Sequence, residues 1–545
     1  MSHDDSASFG APVDRRKLLG SMAAAVALGL ASPALLQQVS AQATPEAEGE
    51  LPAVPPEAVE FASDWPMAQG NFAATRAAAA STIDSSNVGT LEVAWTLPLD
   101  AGSGYGAITS NPLILGDTVF IIDQQGNVQS LDRETGSVNW RTDFDVPTTG
   151  PNGIAIGYGR LISVLGDTAE VVCLDPATGE EQWRFQLANH NALGITMAPT
   201  IFDGIVYVST EPGGNTKGNY EGGAEGILFA LDITNGVTLW QWNTVKDDAW
   251  GNWNVNSGGG LWYPPSVDVE TGILYAGIGN AAPFFGGDNA ASRPGDNDYA
   301  NNVVAINPAA GHIEWAVNVK PHDLFDHDNQ HTPVLADVPH EDIIVKMVFT
   351  SGKHGLLVGL DRTSGIEVWR TPVGRHKNDT VDALGEEVVE VFPGVMGGVE
   401  SPLGYQDSTV FVTALNASTG WSKDVFDYGS FDLTTATGNV VALDAWNGQI
   451  KWDVEVPTGI AGPGVTIAND ILFTGGLDGI ARAYSLTDGS LVWSWQAPAG
   501  LNAPFAIAGD LLLIPAGTFF LPSSDTEGDA PQAAPQLVAL KLPSP

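Results

Sequence analysis

Of 545 residues only one is cysteine, Cys173. A single thiol makes no internal disulfide, and no CxxC or CxxCH motif is present for a thiolate metal site or a covalently attached haem. Basic residues are scarce: 22 Lys+Arg stand against 64 Asp+Glu, a formal charge of −42. Such a surface repels phosphates and argues against a nucleic-acid partner. Charged residues of all kinds are only 16%, while hydrophobic residues reach 43%, so the chain has a large core and is not an acidic disordered polymer. Beyond one N-terminal stretch, no apolar run is long enough to span a bilayer. What is abundant is Gly (63), Pro (35) and Trp (16), the composition of an all-β repeat protein rich in turns.

The N-terminal stretch reads as an address. Arg15-Arg16-Lys17 precedes an uncharged Ala/Leu-rich segment, 18–36, and Ala41-Gln42-Ala43 offers a small-x-small cleavage site. Residues 1–43 are expected to be an export signal of the twin-arginine kind, which predicts a periplasmic or extracellular protein. An N-terminal membrane anchor is the alternative, weakened by Gly20, Gly29, Ser32 and Pro33. The Pro/Glu-rich residues 44–61 are expected to be a flexible lead-in.

One segment recurs through the remainder, 62–545. VQSLDRETGSVNW, VVCLDPATGEEQW, LFALDITNGVTLW, VVAINPAAGHIEW, LVGLDRTSGIEVW, VVALDAWNGQIKW and ARAYSLTDGSLVW end on Trp140, Trp183, Trp240, Trp315, Trp369, Trp452 and Trp493. Four residues before each Trp stands a Gly, and ten before stands a small residue. This is a β-hairpin: an alternating strand, a turn whose Gly can take positive φ, and a returning strand. The small slot is expected to receive a Trp from the neighbouring repeat, with Cys173 one such filler. An eighth Trp, Trp95, lacks a preceding hairpin, and residues 536–542 (QLVALKL) supply a strand with no Trp after it. The two halves complete one unit. The expected fold is all-β: an eight-bladed β-propeller whose ring is closed by pairing the N- and C-terminal strands.

Blades need roughly 40–50 residues, so longer repeats carry inserted loops. Three stand out: 209–226, 254–302 and 320–337. They hold Glu211, Glu221, Asn280, His322, Asp323, Asp326, His327, Asp328 and His331. Oxygen donors from adjacent blades suit a hard cation such as Ca²⁺. Bland readings stand beside this one. The aspartates serve equally as loop caps, Asn280 as a plain turn, and Trp262 as a core ring. The three histidines have no strong zinc spacing.

At these residues the chain resembles the quinoprotein alcohol dehydrogenases, propellers that use pyrroloquinoline quinone (PQQ) and a metal ion. The likeness runs through DWPMAQGNFAATR…NVGTLEVAW, GGGLW, GIGNAAPF, RPGDNDYANNVVAINPAAGHIEW, PHDLFDHD and GKHGLLVGLDRTSG. It implies oxidation of an alcohol or polyol, with electrons passed to a cytochrome c or another external acceptor. It implies metal ligation (Ca²⁺ or a lanthanide) by Glu221, Asn280, Asp326 and Asp328, with Glu211 the fallback for Glu221. It implies Asp326 as catalytic base, Lys353 as the cation facing the quinone oxygens, and Trp262 as the surface on which PQQ stacks. Asn152, in Pro151-Asn152-Gly153, stands where the family has an Arg that binds the cofactor.

The chain also departs from that family. The adjacent Cys pair that covers PQQ is absent, and Gly397-Gly398-Val399-Glu400-Ser401 replaces Gly-Gly-x-Asn-Trp. Two other functions therefore stay open. One is a non-catalytic propeller scaffold of the outer-membrane assembly type. The other is a hydrolase or lyase using His322, His327 and His331 with a transition metal.

Overall fold

Each repeat folds as a four-stranded antiparallel sheet. The first is Leu113–Leu115, Thr118–Ile122, Val128–Asp132 and Val138–Thr142, paired in that order. Six more occupy residues 154–186, 200–243, 266–318, 334–372, 404–456 and 466–496. The eighth is assembled from both ends of the chain. Ala506–Ala508, Leu511–Ala516 and Gln536–Lys541 take Glu92–Pro98 as their outermost strand, with Trp95 opposite Ala539. The eight-bladed propeller forms, and this pairing joins its ends. In this computed structural model the described residues run from 51 to 543, apart from 101, 104, 149, 188–191, 213–224, 246–247, 284–289, 425, 428–432, 434, 461 and 518–533. The expected export signal lies outside them. Among the described residues no helix is long and apolar enough to cross a membrane.

The strand sequences follow from position. In Ile154–Gly157, Arg160–Leu165 and Glu170–Leu174 almost every side chain is buried, because a neighbouring blade covers each face. The fourth strand, Glu181–Gln186, alternates because one of its faces is wet.

The Trp contact differs in detail from the expectation. The ring docks on the turn glycine of the next blade, and the small slot faces the Trp of its own blade. A Cβ on Gly136 would lie 2.5 Å from the Trp95 ring, and Trp95 Nε1 donates to Arg133 O at 2.9 Å. The same pair of contacts joins Trp140 to Gly179 and Pro176 O (3.0 Å), and so on round to Trp452, Gly489 and Leu486 O (3.0 Å). Ser130, Cys173 and Ala442 pair across the sheet with Trp140, Trp183 and Trp452. The small residue therefore clears space within its own sheet. Cys173 is fully buried, and burial pushes its thiol up to about 12, so it is inert filler.

Part of the lead-in expected over 44–61 is folded against the propeller, with Pro56–Glu60 a short helix. Glu57 accepts from the backbone amides of Tyr158 (2.8 Å) and Gly159 (2.6 Å). The chain then runs along the innermost strands, accepting at Phe72 O, Ala73 O, Thr75 O and Arg76 O from Val267, Leu335, Tyr405 and Ile467. These bonds satisfy edge groups that a propeller otherwise leaves open at its axis. Arg76 is fully buried and donates to Val465 O, Ala68 O, Gln69 Oε1, Thr466 Oγ1 and Phe505 O. Composition alone hid this segment, because its partners are backbone groups.

Candidate active site

Successive strands reverse direction, so two sets of connections emerge at one end of the sheets. The first leads from the outermost strand of one blade into the innermost of the next and carries Tyr105, Asn152, Trp262, Asp326, Asp328 and Glu400. The second joins second and third strands and carries Glu211, Asn280 and Lys353. Topology alone thus brings residues far apart in sequence to the same face.

Lys353 is the centre of the constellation. Its Nζ lies 2.7 Å from Asp328 Oδ2, 3.0 Å from Asp326 Oδ2 and 5.4 Å from the centroid of the Trp262 ring. Asp328 is fully buried, and its Oδ1 accepts from the Asn280 backbone amide at 2.7 Å. Gly279 permits this approach: a Cβ there would stand 3.1 Å from both Asp328 Oδ1 and Trp262 Nε1. Burial would lower the Lys353 ammonium, but Asp326, Asp328 and Glu400 outweigh it and raise it well above its usual value. Burial pushes the Asp326 carboxyl well above the carboxylate range, with Lys353 offsetting part of the rise.

Asp326 takes φ 61, a left-handed conformation that aspartate adopts uncommonly. Asp323 holds the loop in that shape. Its Oδ1 accepts from Phe325 N at 3.0 Å and its Oδ2 from His327 N at 2.8 Å. The cap reading therefore describes Asp323, whereas Asp326 and Asp328 turn their carboxylates to Lys353.

Glu221 lies outside the described residues. Glu211, its fallback, is fully buried; its Oε1 accepts from Thr196 Oγ1, and its Oε2 has no hydrogen-bond partner among the described residues. Burial and the Asp328 charge raise its carboxyl well above the usual range, with Lys353 opposing. Trp262 and Asn152 line one cavity together with Gln69, Ser110 and Tyr263. Asn152 donates from Nδ2 to Asp123 O at 2.8 Å.

Two further residues join the group that motif reading did not single out. Burial pushes the Glu400 carboxyl up to about 8, with Lys353 lowering and Asp328 raising it. The Tyr105 phenol is raised by burial and senses the charges of Lys353, Glu211, Asp326 and Glu400. Glu400 was visible in the sequence only as a mismatch.

The histidines do not converge. His322 Nδ1 meets Gly295 O (2.8 Å), His327 contacts Lys320 Nζ and Pro393 O, and His331 Nε2 meets Val399 O (2.9 Å). Among the described residues no three His, Cys, Asp or Glu side chains close on one point. Lys353 stands between the two aspartates instead.

A quinohemoprotein alcohol dehydrogenase of Comamonas testosteroni is 25% identical over 504 residues, 80% of this chain and 69% of that protein. The crystal structure of the quinohemoprotein alcohol dehydrogenase from Comamonas testosteroni superposes with a TM-score of 0.75 at 20% identity, covering 89% of this chain and 81% of that one. A europium-containing methanol dehydrogenase gives a TM-score of 0.75 at 19% identity, covering 88% and 98%. Residues 353–530 also match the outer membrane protein assembly factor BamB family. Residues 65–159 and 188–394 match the family described as glucose/ethanol/alcohol dehydrogenase, beta-propeller domain, and the chain belongs to that family.

Proposed function

We propose that this protein is an exported PQQ-dependent dehydrogenase that oxidises an alcohol or polyol. The observation that carries this reading is the buried Asp326–Lys353–Asp328 group against the Trp262 ring, a base and a cation beside a flat aromatic face. Export rests on Arg15-Arg16-Lys17 and the uncharged residues 18–36. Several relatives are named as alcohol dehydrogenases and one as lupanine 17-hydroxylase (cytochrome c), and a cytochrome c or another external acceptor would take the electrons.

The donor types present are those of a hard cation, while the two aspartates as placed are joined by Lys353 and among the described residues no three such side chains close on one point. Glu211, Asn280, Asp326 and Asp328 offer oxygen donors, and among the described residues Glu211 Oε2 is a buried oxygen with no hydrogen-bond partner, costly unless a cation meets it. Ca²⁺ or a lanthanide matches this set. The residues also fit a planar cofactor. Ser110 Oγ, buried and with no hydrogen-bond partner among the described residues, lines the cavity beside Trp262, and a Cβ on Gly150 would stand 3.6 Å from that ring. Trp262, Asn152 and Lys353 would hold PQQ, which with its metal ion supplies the two-electron acceptor for the substrate's hydride.

The chain's own groups do the remaining work. Asp326 Oδ2 takes the substrate's hydroxyl proton, its basicity raised by burial. Lys353 keeps a positive charge where negative charge develops on oxygen. Asn280 N fixes Asp328, and Asp323 fixes the Asp326 backbone. Enclosure of the group excludes bulk water.

The test is titration with PQQ plus Ca²⁺, then plus La³⁺, followed by dye reduction across a panel of alcohols. Binding and turnover with either ion support the reading; no cofactor binding with either ends it. The match to the assembly-factor family favours a non-catalytic scaffold as the second reading, which predicts neither metal nor cofactor. A scaffold leaves the burial of Glu211, Asp326 and Asp328 without a purpose.

A further inference from the structure

The loop that carries Asn280 and the loop that carries Asp326 and Asp328 meet at one side chain. Asn301 stands immediately before Asn302–Asn307, the third strand of its blade. Its backbone belongs to that blade: Asn301 N donates to Gly279 O at 2.9 Å, and Asn301 O accepts from Val319 N at 3.0 Å. Its side chain leaves the blade. Asn301 Nδ2 donates to His327 O at 2.6 Å, and both residues are buried. Gly279 is the residue before Asn280, and His327 is the residue between Asp326 and Asp328. One asparagine therefore bonds to the backbone beside all three oxygen donors.

The neighbouring residues repeat the tie. Asn302 O accepts from Asn329 Nδ2 at 2.9 Å, so the residues before and after Asp328 are both bonded to the Asn301-Asn302 pair. The network reaches Lys353 as well. His354 Nδ1 accepts from Leu356 N at 3.0 Å, which leaves the proton on Nε2, and Nε2 donates to Asn329 Oδ1 at 3.1 Å. Farther out, Arg293 Nη2 bonds Pro283 O (2.8 Å) and Asp323 O (2.5 Å), joining the same two loops beyond Asn280 and ahead of Asp326. Asn301 is the link nearest the chemistry.

The residue type fits the task. Asn301 takes φ 54, the left-handed region, which asparagine tolerates better than most side chains. Glycine would adopt the same backbone but has no donor for His327 O. Aspartate has the right shape, but turns an acceptor toward a carbonyl. Asn301 is not among the residues that line the cavity beside Trp262, so contact with a ligand there is not its role.

We infer that Asn301 is a positioning residue of this site, and that its side chain sets where Asp326 and Asp328 stand relative to Asn280. The effect on turnover rests on the dehydrogenase reading; the coupling of the two loops stands on the hydrogen bonds alone. Displacing a reacting group by about 1 Å costs on the order of 10²-fold in rate. Losing a hydrogen bond that orients a metal ligand costs about 10–100-fold in metal affinity or activity.

The decisive variant is Asn301→Gly, which keeps the left-handed backbone and both of its backbone bonds and removes only the donor to His327 O. With PQQ and Ca²⁺ or La³⁺, kcat per bound PQQ should fall about 10–100-fold while the alcohol's KM changes by less than about twofold, because no contact in the cavity is lost. Independently of turnover, calorimetry on the cofactor-free protein should show La³⁺ binding weakened by about tenfold or more. A merely structural role would lower the melting temperature and leave both readouts at parental values, and that result overturns the inference. If Asn301→Gly does not fold, Asn301→Asp serves: it keeps the side chain's shape and cannot donate, so the same fall in kcat is expected, and parental kcat overturns the inference. A parent that oxidises no alcohol but binds La³⁺, with Asn301→Gly weakening that binding, ends the dehydrogenase reading and keeps the positioning role. A parent with neither activity nor La³⁺ binding overturns both.

Discussion

The ammonium of Lys353 stands 2.7 Å from the carboxylate of Asp328, a side chain with no exposed surface. Replacing Lys353 by Met keeps the length of the side chain and removes the charge. Two buried aspartates then face each other with no cation between them. Breaking a buried pair this way costs about 3–5 kcal/mol. Urea unfolding of cofactor-free Lys353→Met should show that loss at pH 7 and a smaller one at acid pH, where Asp326, its carboxyl raised by burial, is neutral. A loss that does not change with pH would mean that the lysine's methylenes, not its charge, matter.

Asp326 is the proposed base, and its φ of 61 restricts the useful substitutions. Asparagine tolerates the left-handed region and keeps the side chain's shape. Asp326→Asn should therefore fold as the parent does, and should lose about 10²–10⁴ in turnover, the usual contribution of general base catalysis. Circular dichroism and dye reduction check the two halves of the statement. Turnover retained at the parental level would put the base on another residue.

The Glu400 carboxyl is raised from 4.5 to about 8. Between these values the folded protein holds a proton that the unfolded chain has released. Stability contributed by this group is therefore complete below pH 4.5 and falls as pH rises toward 8, at up to about 1.4 kcal/mol per pH unit. Glu400→Gln removes the dependence. In cofactor-free protein the variant should melt higher than the parent at pH 8, and the two should converge near pH 4. Equal melting curves at both pH values would show that the carboxylate is solvated.

These sites were unequally legible in the sequence. The propeller was readable because its signal is local and repeated: Gly179 and Trp183 lie four residues apart in one hairpin, and the pattern recurs in every full blade. What docks on what was not readable, since Gly179 receives Trp140 of the previous blade and not its own Trp183. Asp326, Asn280 and Lys353 sit in segments with a family pattern, and they fall on connections that emerge at one end of the sheets. Glu400 and Tyr105 match no pattern; only the crossing of distant loops brings them to Lys353. The segment from Leu51 to Arg76 has no apolar period to detect, because its order comes from backbone bonds to other strands.

The docking contact itself can be tested with two glycines of nearly equal backbone geometry. Gly179 has φ 73 and Gly159 has φ 69, so alanine is strained at both by a similar amount, roughly 1–2 kcal/mol. Their surroundings differ. A Cβ on Gly179 would lie 2.4 Å from the Trp140 ring and 2.8 Å from Thr142 Oγ1, whereas a Cβ on Gly159 meets nothing within 4 Å. The difference between Gly179→Ala and Gly159→Ala therefore isolates the blade-to-blade contact. Overpacking adds about 1–3 kcal/mol, so Gly179→Ala should be the less stable variant by that margin in equilibrium unfolding. The extra loss should disappear in the Trp140→Ala background, where the ring that the methyl would strike is gone. If the two glycine variants were equally stable, left-handed geometry alone would explain why glycine occupies the turn, and the indole would contribute nothing to its choice.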